Sequence, residues 1–170
     1  MTPLVTVRPA VTADLDAIGR LGALLVIEHH DFDPQRFLAP VPDLARRYGE
    51  FLIAQTKRTD MLVVVAERGG GVVGYAFAGM EGNDYLALRG PAGVLYDVVV
   101  DPKHRREGVG TDLLEAALDA LGKLGAPRVV LFTADKNAVA QAMFAKAGFR
   151  RTMIEMTREL TDVAAPGTSG

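Results

Sequence analysis

One stretch of the sequence combines cationic side chains and glycines at a spacing that suits phosphate binding. It contains the apolar run Tyr96–Val100, the cationic run Lys103–Arg106, and then Gly108 and Gly110 at the start of an amphipathic segment. Glycine lets backbone N–H groups come close to a ligand, and a helix N-terminus adds unpaired donors and the positive end of the dipole. Arginines beside them can neutralise phosphate oxygens. The stretch therefore predicts a pyrophosphate cradle.

Other interpretations of this stretch are weaker or excluded. A basic loop followed by a glycine-rich helix start could serve only solubility and packing. A Walker P-loop is excluded because Gly-Lys-Ser/Thr is missing. A Rossmann fingerprint also fails, since the glycines do not follow the strand directly and Leu113 stands at the third glycine position. The glycines, the helix start and the arginines therefore indicate a nucleotide other than those bound by a Walker P-loop or a Rossmann fold.

Hydrophobic periodicity predicts the elements that carry this stretch, in the order β-α-α-β-β-β-α-β-α-β. Hairpins in the first half and βαβ units in the second predict a mixed sheet covered by helices. The predicted strands are Leu4–Arg8, Met61–Glu67, Val72–Met80, Gly93–Val100, Arg128–Thr133 and one or two within Phe149–Leu160. The predicted helices are one capped by Thr12 that ends before an irregular polar loop at Glu28–Pro34, then Pro42–Arg58, Gly108–Gly122 and Asn137–Ala147.

Composition limits the classes of function. The 170 residues carry a formal net charge of -2, so the sequence has no net positive charge that would attract nucleic acid or an anionic membrane. The absence of cysteine excludes disulfides and thiolate catalysis, and three histidines are too few to predict a metal cluster. The first ten residues lack a signal-peptide pattern and no apolar run could span a bilayer, so we expect a cytoplasmic protein. We expect one domain, residues 1–160, and a flexible tail, residues 161–170.

Three segments together resemble the GNAT superfamily of N-acetyltransferases. Arg105–Gly110 matches that family's Arg/Gln-x-x-Gly-x-Gly/Ala signature. Asn137–Phe149 is similar to its Asn-x-x-Ala-x-x-Leu/Phe-Tyr-x-x-x-Gly-Phe block, and Val7–Ala10 followed by Asp14 resembles its opening strand and helix. The resemblance covers residues 4 to 160. It implies an α/β, GNAT-like acyl-CoA N-acyltransferase fold, with a central mixed sheet of six to seven strands and about four helices.

The resemblance also implies an activity: transfer of an acetyl group from acetyl-CoA to a primary amine of a small molecule or protein, by direct attack on the thioester. The alternative is a non-catalytic acyl-CoA-binding module, a sensor or regulatory subunit. No metal, nucleic acid or membrane partner is expected. The oligomeric state stays open, although the family's frequent dimers make a homodimer an expectation.

By the same resemblance, backbone groups on the central strand pair with pantetheine, and the loop and helix start hold the pyrophosphate. Asn137 would hydrogen-bond the pantetheine arm, cap its helix, or do both. The residues that the resemblance assigns to acetyl-CoA are Val98, Val99, Val100, Arg105, Arg106, Glu107, Gly108, Val109, Gly110, Thr111, Asn137, Ala140 and Phe144.

The resemblance leaves the catalytic base open, with Tyr96, Asp97, Glu28 and His29 as candidates. Strand alternation puts Tyr96 on the same face as Val98 and Val100 and puts Asp97 on the other. Asp97 could equally be a buried structural acceptor, and His29 part of a solvated helix end. The backbone N–H of Val98 is the expected oxyanion donor.

Phe144 departs from the family, which has at this position the tyrosine that protonates the leaving thiolate. A thiol has a pKa of roughly 8.5, so thiolate can leave without a dedicated acid. Solvent, or Tyr75, Tyr85 or Tyr96, could replace the missing acid. The acidic segment Glu28–Asp33 gives a weak indication of a cationic acceptor.

Overall fold

The computed structural model describes residues 4–160, and the expected flexible tail lies outside them. Five strands form one sheet in the order β1-β2-β3-β4-β5. Neighbouring strands β1 to β4 are antiparallel, whereas β5 runs parallel to β4, which confirms the predicted mixed α/β sheet. The strands are β1 Thr6–Pro9, β2 Met61–Arg68, β3 Gly71–Glu81, β4 Ala92–Val100 and β5 Val129–Leu131. The helices are α1 Leu15–Phe32, α2 Leu44–Gln55, α3 Val109–Lys123 and α4 Ala138–Lys146.

The sheet has fewer strands than predicted. Within residues 4–160 there are five, and the strands expected in Phe149–Leu160 do not form. The neighbouring edge strand β5 has only three residues, so it offers few backbone groups for a further ladder. Residues 150–160 are exposed, so no burial of side chains drives pairing there.

The predicted hairpin between β2 and β3 is confirmed. Gly69 and Gly70 join the strands with φ of 58° and 80°, the left-handed values that a two-residue turn of type I′ requires. Beyond the turn the two strands stay paired as far as Met61 and Gly79.

Each face of the sheet has its own apolar core. On one face, α3 packs Leu113, Leu114 and Leu121 against the sheet. On the other face, α1 and α2 bury Ile18 and Leu52 against β2 and β3. Strand β4 contributes to both cores, so it lies between the two layers, as the continuous apolar run predicts.

Helix α1 differs from its prediction at both ends. Thr12 is not the cap: it begins a short 3-10 turn, and the Asp14 carboxylate accepts the Val11 N–H at 2.8 Å and pairs with Arg8. At the other end, the helix continues through Phe32, so the polar loop predicted from Glu28 is wrong. Nothing breaks the helix until the residue before Pro34, where an extended backbone is favoured.

Helices α1 and α2 approach closely through glycines. A Cβ at Gly19 would overlap the carbonyl oxygen of Ala45, and one at Gly49 would lie 2.5 Å from that of Leu15. A Cβ at Gly22 would overlap the Tyr48 ring. These glycines therefore let α1 and α2 pack closely, and the Tyr48 side chain of α2 reaches the sheet.

Candidate functional site

Strands β4 and β5 diverge to open a cleft. They pair only from Gly93–Leu95 to Val129–Leu131, while β4 continues to Val100. The cleft between them has a volume of about 260 Å³. Its walls come from α1, the segment after it, β4, the end of β5 and α4. The lining includes Leu25, Val26, His29, Phe37, Leu38, Leu95, Tyr96, Asp97, Val98, Leu131, Phe132, Thr133, Asn137, Ala140 and Phe144.

The open edge of β4 presents backbone groups to this cleft. The N–H of Asp101, just after β4, donates to the Val73 carbonyl of β3 at 2.9 Å. In an antiparallel pair only every second residue bonds to the neighbouring strand, so this bond fixes which residues of β4 face β3. By that alternation Val99 bonds to β3, whereas Val98 and Val100 turn their N–H and C=O groups towards the opening. Val99 packs in the core against α1 and α2 and lies away from the cleft.

A β-bulge overturns the predicted alternation at Tyr96. Phe77 pairs with Asp97 while Ala78 pairs with Leu95, so Tyr96 is the extra residue. Tyr96 stacks on Phe77 with ring centroids 4.7 Å apart, on the α1–α2 side of the sheet. Asp97 lies on that side too, so the prediction of opposite faces is wrong and both side chains line one cleft.

Asp97 is the carboxylate of the cleft lining. The hydroxyls of Tyr48 and Tyr75 donate to its Oδ2 at 2.8 and 2.9 Å. Burial raises the pKa of Asp97 above its ordinary value, and the two tyrosine bonds and nearby His29 oppose that shift. Among the described residues, Oδ1 receives no side-chain hydrogen bond, so it can accept a proton from a ligand.

Tyr96 is held differently. Its hydroxyl donates to Glu81 at 2.7 Å, and Arg89 donates to the same carboxylate at 2.6 Å. Burial, followed by the bond to Glu81, raises the pKa of Tyr96 well above its ordinary value. Tyr96 therefore keeps its proton at neutral pH and cannot act as a base, and the raised pKa also makes it a weak acid.

The two base candidates on α1 lie on its last turns. His29 lines the cleft, and its Nδ1 is 2.9 Å from the Leu25 carbonyl oxygen. That nitrogen must carry the hydrogen, which leaves Nε2 as an acceptor. Glu28 instead accepts a hydrogen bond from Arg105 Nη2 at 2.5 Å, so its carboxylate is already engaged. It is also not part of the cleft lining.

The start of α3 presents unpaired backbone donors. Gly108 precedes the helix with φ of 87° and no side-chain cap, and the first helical bond runs from the Asp112 N–H to the Gly108 carbonyl. The N–H groups of Val109, Gly110 and Thr111 come before that bond and have no partner within the helix. A Cβ at Gly110 would lie 3.6 Å from Val100, so this helix start adjoins the open end of β4.

The loop before α3 is fixed by ion pairs and by its backbone. Glu107 pairs with Arg68 of β2 and is 3.6 Å from His104 Nδ1, so its carboxylate is turned away from the helix start. Arg105 also donates to the Val100 carbonyl at 3.1 Å. Arg106 has φ of 63°, a left-handed value that side chains rarely adopt.

Helix α4 forms the opposite wall. Asn137 caps it by accepting the Ala140 N–H at 3.1 Å and also lines the cleft, so both predicted uses of this side chain are compatible. Phe144 lies one turn beyond Ala140 on the same wall. Its ring contacts Phe149 edge-to-face at 5.9 Å, so this position is apolar and has no proton to donate.

Three residues of the site are absent from the predicted site residues: Tyr48, which donates to Asp97, and Phe37 and Leu38, which line the cleft. Tyr48 lies at helical spacing from Leu44 and Leu52 in the predicted helix Pro42–Arg58, which gives it the place of a core residue. A buried tyrosine needs a hydrogen-bond partner, and this was the signal that could have linked it to a polar group on the sheet. Phe37 and Leu38 follow Pro34 in an irregular segment, where periodicity gives no position.

Two features of membrane and metal proteins do not occur in the described part of the chain. No helix within residues 4–160 has both the length and the apolarity needed to cross a bilayer. Across the same residues, no three His, Asp or Glu side chains come together as a group that could hold a metal ion.

Comparison with known proteins identifies relatives. The sequence model described as Acetyltransferase (GNAT) family matches residues 25–149. A mycothiol acetyltransferase of Thermobispora bispora is 34% identical over 54% of this chain and 31% of its own length. A [ribosomal protein bS18]-alanine N-acetyltransferase of Escherichia coli is 37% identical over 35% of this chain and 40% of its own length. The chain thus spans less than half of these curated relatives.

The fold has solved counterparts. The structure of aminoglycoside N-acetyltransferase AAC(6')-Iy in complex with CoA superposes with a TM-score of 0.69. It covers 95% of this chain and 98% of its own, at 19% sequence identity. At 19% sequence identity, this likeness shows a shared fold and nothing about the substrate.

Proposed function

Since the chain belongs to the acetyltransferase (GNAT) family, we propose that it transfers an acetyl group from acetyl-CoA to a primary amine of a small molecule or protein. The observation that carries the proposal is the open edge of β4, which leads from a cleft with a half-buried carboxylate to the free N-terminus of α3.

Donor binding follows from that path. Pantetheine would add to the open edge of β4 through the backbone of Val98 and Val100, as an extra strand would. The pyrophosphate would bind the N–H groups at the start of α3, with Arg106 beside them. The Arg105 bond to the Val100 carbonyl must break for pantetheine to pair there, while the ion pair between Arg105 and Glu28 can persist.

The chemical step forms one bond and breaks another. The nitrogen lone pair of the acceptor attacks the thioester carbon, the new C–N bond replaces the C–S bond, and coenzyme A leaves with the sulfur electrons. The backbone N–H of Val98 would stabilise the negative charge that develops on the carbonyl oxygen. The proton that the amine loses would pass to Oδ1 of Asp97, directly or through His29 Nε2.

The raised pKa of Asp97 suits this role. A carboxylate with an ordinary pKa is a weak base at neutral pH, whereas a raised value brings it closer to the operating range. His29 lies in the same lining, and in the neutral ring Nε2 is its acceptor, so it would relay the proton of the amine in this proposal.

Solvent would supply the proton to the leaving sulfur, because thiolate is a good leaving group near neutral pH. Phe144 cannot donate a proton. Tyr96 lines the same cleft, but its hydroxyl donates to Glu81 and its raised pKa makes it a weak acid. Tyr85 is 84% exposed and outside the cleft lining, so we do not assign it this role.

A non-catalytic acyl-CoA-binding module is the second candidate function, and Phe144 favours it. Such a module would need only the open edge and the helix start. The titratable Asp97 in the cleft lining favours the enzyme, because a site that only binds the donor has no need of a carboxylate with a raised pKa.

The test of donor binding is calorimetric titration of acetyl-CoA into the wild type, Gly108→Trp and Gly125→Trp. The two glycines flank α3 and have φ of 87° and 88°. A Cβ at either position would have no neighbouring atom within 4 Å, so the two variants carry equal backbone strain. We expect Gly108→Trp to weaken binding about tenfold or more through lost charged hydrogen bonds, and Gly125→Trp to leave it unchanged. A folded wild type that does not bind acetyl-CoA would overturn the proposal.

A further inference from the structure

The acceptor side of the cleft is apolar. Leu25 and Val26 of α1 and the following Phe37 and Leu38 contribute one wall of the cleft, and Phe132, the residue after β5, also lines it. Leu38 is 82% exposed and Phe132 78%, although both line the cleft. Apolar side chains left in water on both sides of an opening gain stability when an apolar ligand covers them.

Three carboxylates near the cleft already have partners. Glu28 pairs with Arg105 and Glu81 with Arg89. Asp33 accepts the backbone N–H groups of Gln35 and Arg36 in its own turn. Asp31 is exposed, and none of the three carboxylates of this acidic segment lines the cleft. The segment therefore places no carboxylate in the cleft for a cationic acceptor, contrary to the weak indication in the sequence.

Within the described residues, the lining contains a single carboxylate, Asp97. Its Oδ2 already accepts two tyrosine hydroxyls, so one oxygen is left for one amine. A second ammonium group buried in the cleft would lose its hydration without finding a partner.

We propose that the acceptor is a monoamine with an apolar aliphatic or aromatic body, rather than a polyamine or another polycation. This inference rests on the proposed function, because it names the amine that the same site would acetylate. The amine would reach Asp97, and the body would lie between the α1 wall and Phe132.

The test compares hexylamine with 1,6-diaminohexane, which share one carbon chain and differ in a second ammonium group. Thiol release from acetyl-CoA gives kcat/KM for each amine. We expect hexylamine to exceed the diamine by about tenfold or more, the range in which an apolar pocket discriminates. A diamine that reacts equally well or better, or equally with spermidine, would overturn the inference.

A matched pair of variants tests the location. Leu38→Glu adds a carboxylate at the cleft mouth, and Leu86→Glu adds one at a fully exposed leucine of the β3–β4 loop. We expect Leu38→Glu to shift the preference towards the diamine, and Leu86→Glu to keep the wild-type ratio. Equal ratios in the two variants would contradict the assigned wall.

A binding measurement distinguishes failure of this inference from failure of the proposed function. If acetyl-CoA binds but no amine releases thiol, the proposed transfer fails, and titration of each amine into CoA-loaded protein still decides the acceptor class. Tighter binding of hexylamine supports the inference, and equal or tighter binding of the diamine overturns it.

Discussion

The two tyrosine hydroxyls on Asp97 tie the basicity of this carboxylate to side chains from two separate elements. Tyr48 comes from α2 and Tyr75 from β3, and both bonds stabilise the ionised form. Burial acts in the opposite direction and is the larger effect, so the pKa is raised. The balance between these contributions sets the pH at which Asp97 becomes a base.

Tyr48→Phe tests that balance. Removing one hydroxyl withdraws a bond that lowers the pKa of Asp97, so the pKa rises further and the base form appears only at higher pH. We expect the acidic limb of the kcat/KM profile to move up by about one pH unit. Tyr85→Phe, on an exposed loop, is the control and should leave the profile in place. If the acidic limb of the kcat/KM profile does not move in Tyr48→Phe, the ionisation of Asp97 does not control the reaction.

The residues of the cleft were predictable to different degrees. The Arg105–Gly110 signature and Asn137 follow from local spacing, because one loop and one helix start carry them. The contacts of Asp97 do not, since Tyr48 is 49 positions and Tyr75 22 positions away in the chain. No local pattern relates such residues, and only the packing of α2 on the sheet brings them together.

At the scale of elements, two irregularities create the cleft. The bulge at Tyr96 turns two consecutive side chains of β4 to one face, and the early end of β5 leaves the β4 edge open. Periodicity places the strands but cannot reveal a bulge, because one extra residue leaves the apolar pattern of a buried strand unchanged. For the same reason the predicted face of Tyr96 was wrong.

Gly22→Ala tests whether α1 positions the tyrosine. The added methyl would overlap the Tyr48 ring, so we expect the ring to shift, the bond to Asp97 to weaken, and the acidic limb to move as in Tyr48→Phe. Gly122→Ala makes the same change in α3, where no atom lies within 4 Å, and should be neutral or slightly stabilising. A normal pH profile with lowered thermal stability in Gly22→Ala would indicate a packing role alone.

At the scale of the whole molecule, the order of elements and the mixed sheet follow from the sequence, because long amphipathic helices and a glycine hairpin give strong local signals. The strands expected in Phe149–Leu160 show the limit of that approach. Their apolar residues suit a strand, but pairing also requires a neighbour long enough to receive them, and β5 has three residues.

Acetyl-CoA binding should stabilise the whole fold, because the proposed site joins β4, α3 and α4. At about 100 times Kd, binding adds about 2.7 kcal/mol to the free energy of unfolding, which raises Tm by about 5–10 °C in a chain of this length. Thermal denaturation with and without acetyl-CoA measures the shift, and Gly108→Trp should show less of it at the same concentration. An equal shift in that variant would place the donor elsewhere.

The most direct test of the proposed transfer is the rate of thiol release from saturating acetyl-CoA with hexylamine, in the wild type and in Asp97→Asn. Because the pKa of Asp97 is raised in the fold, ionisation lowers stability as pH rises through that value, so the amide variant should be at least as stable at neutral pH. We predict unchanged acetyl-CoA affinity and a rate lower by about 10²–10⁴-fold. A wild-type rate in the variant would contradict the role of Asp97, and a wild type that binds acetyl-CoA but acetylates no amine would contradict the enzyme itself.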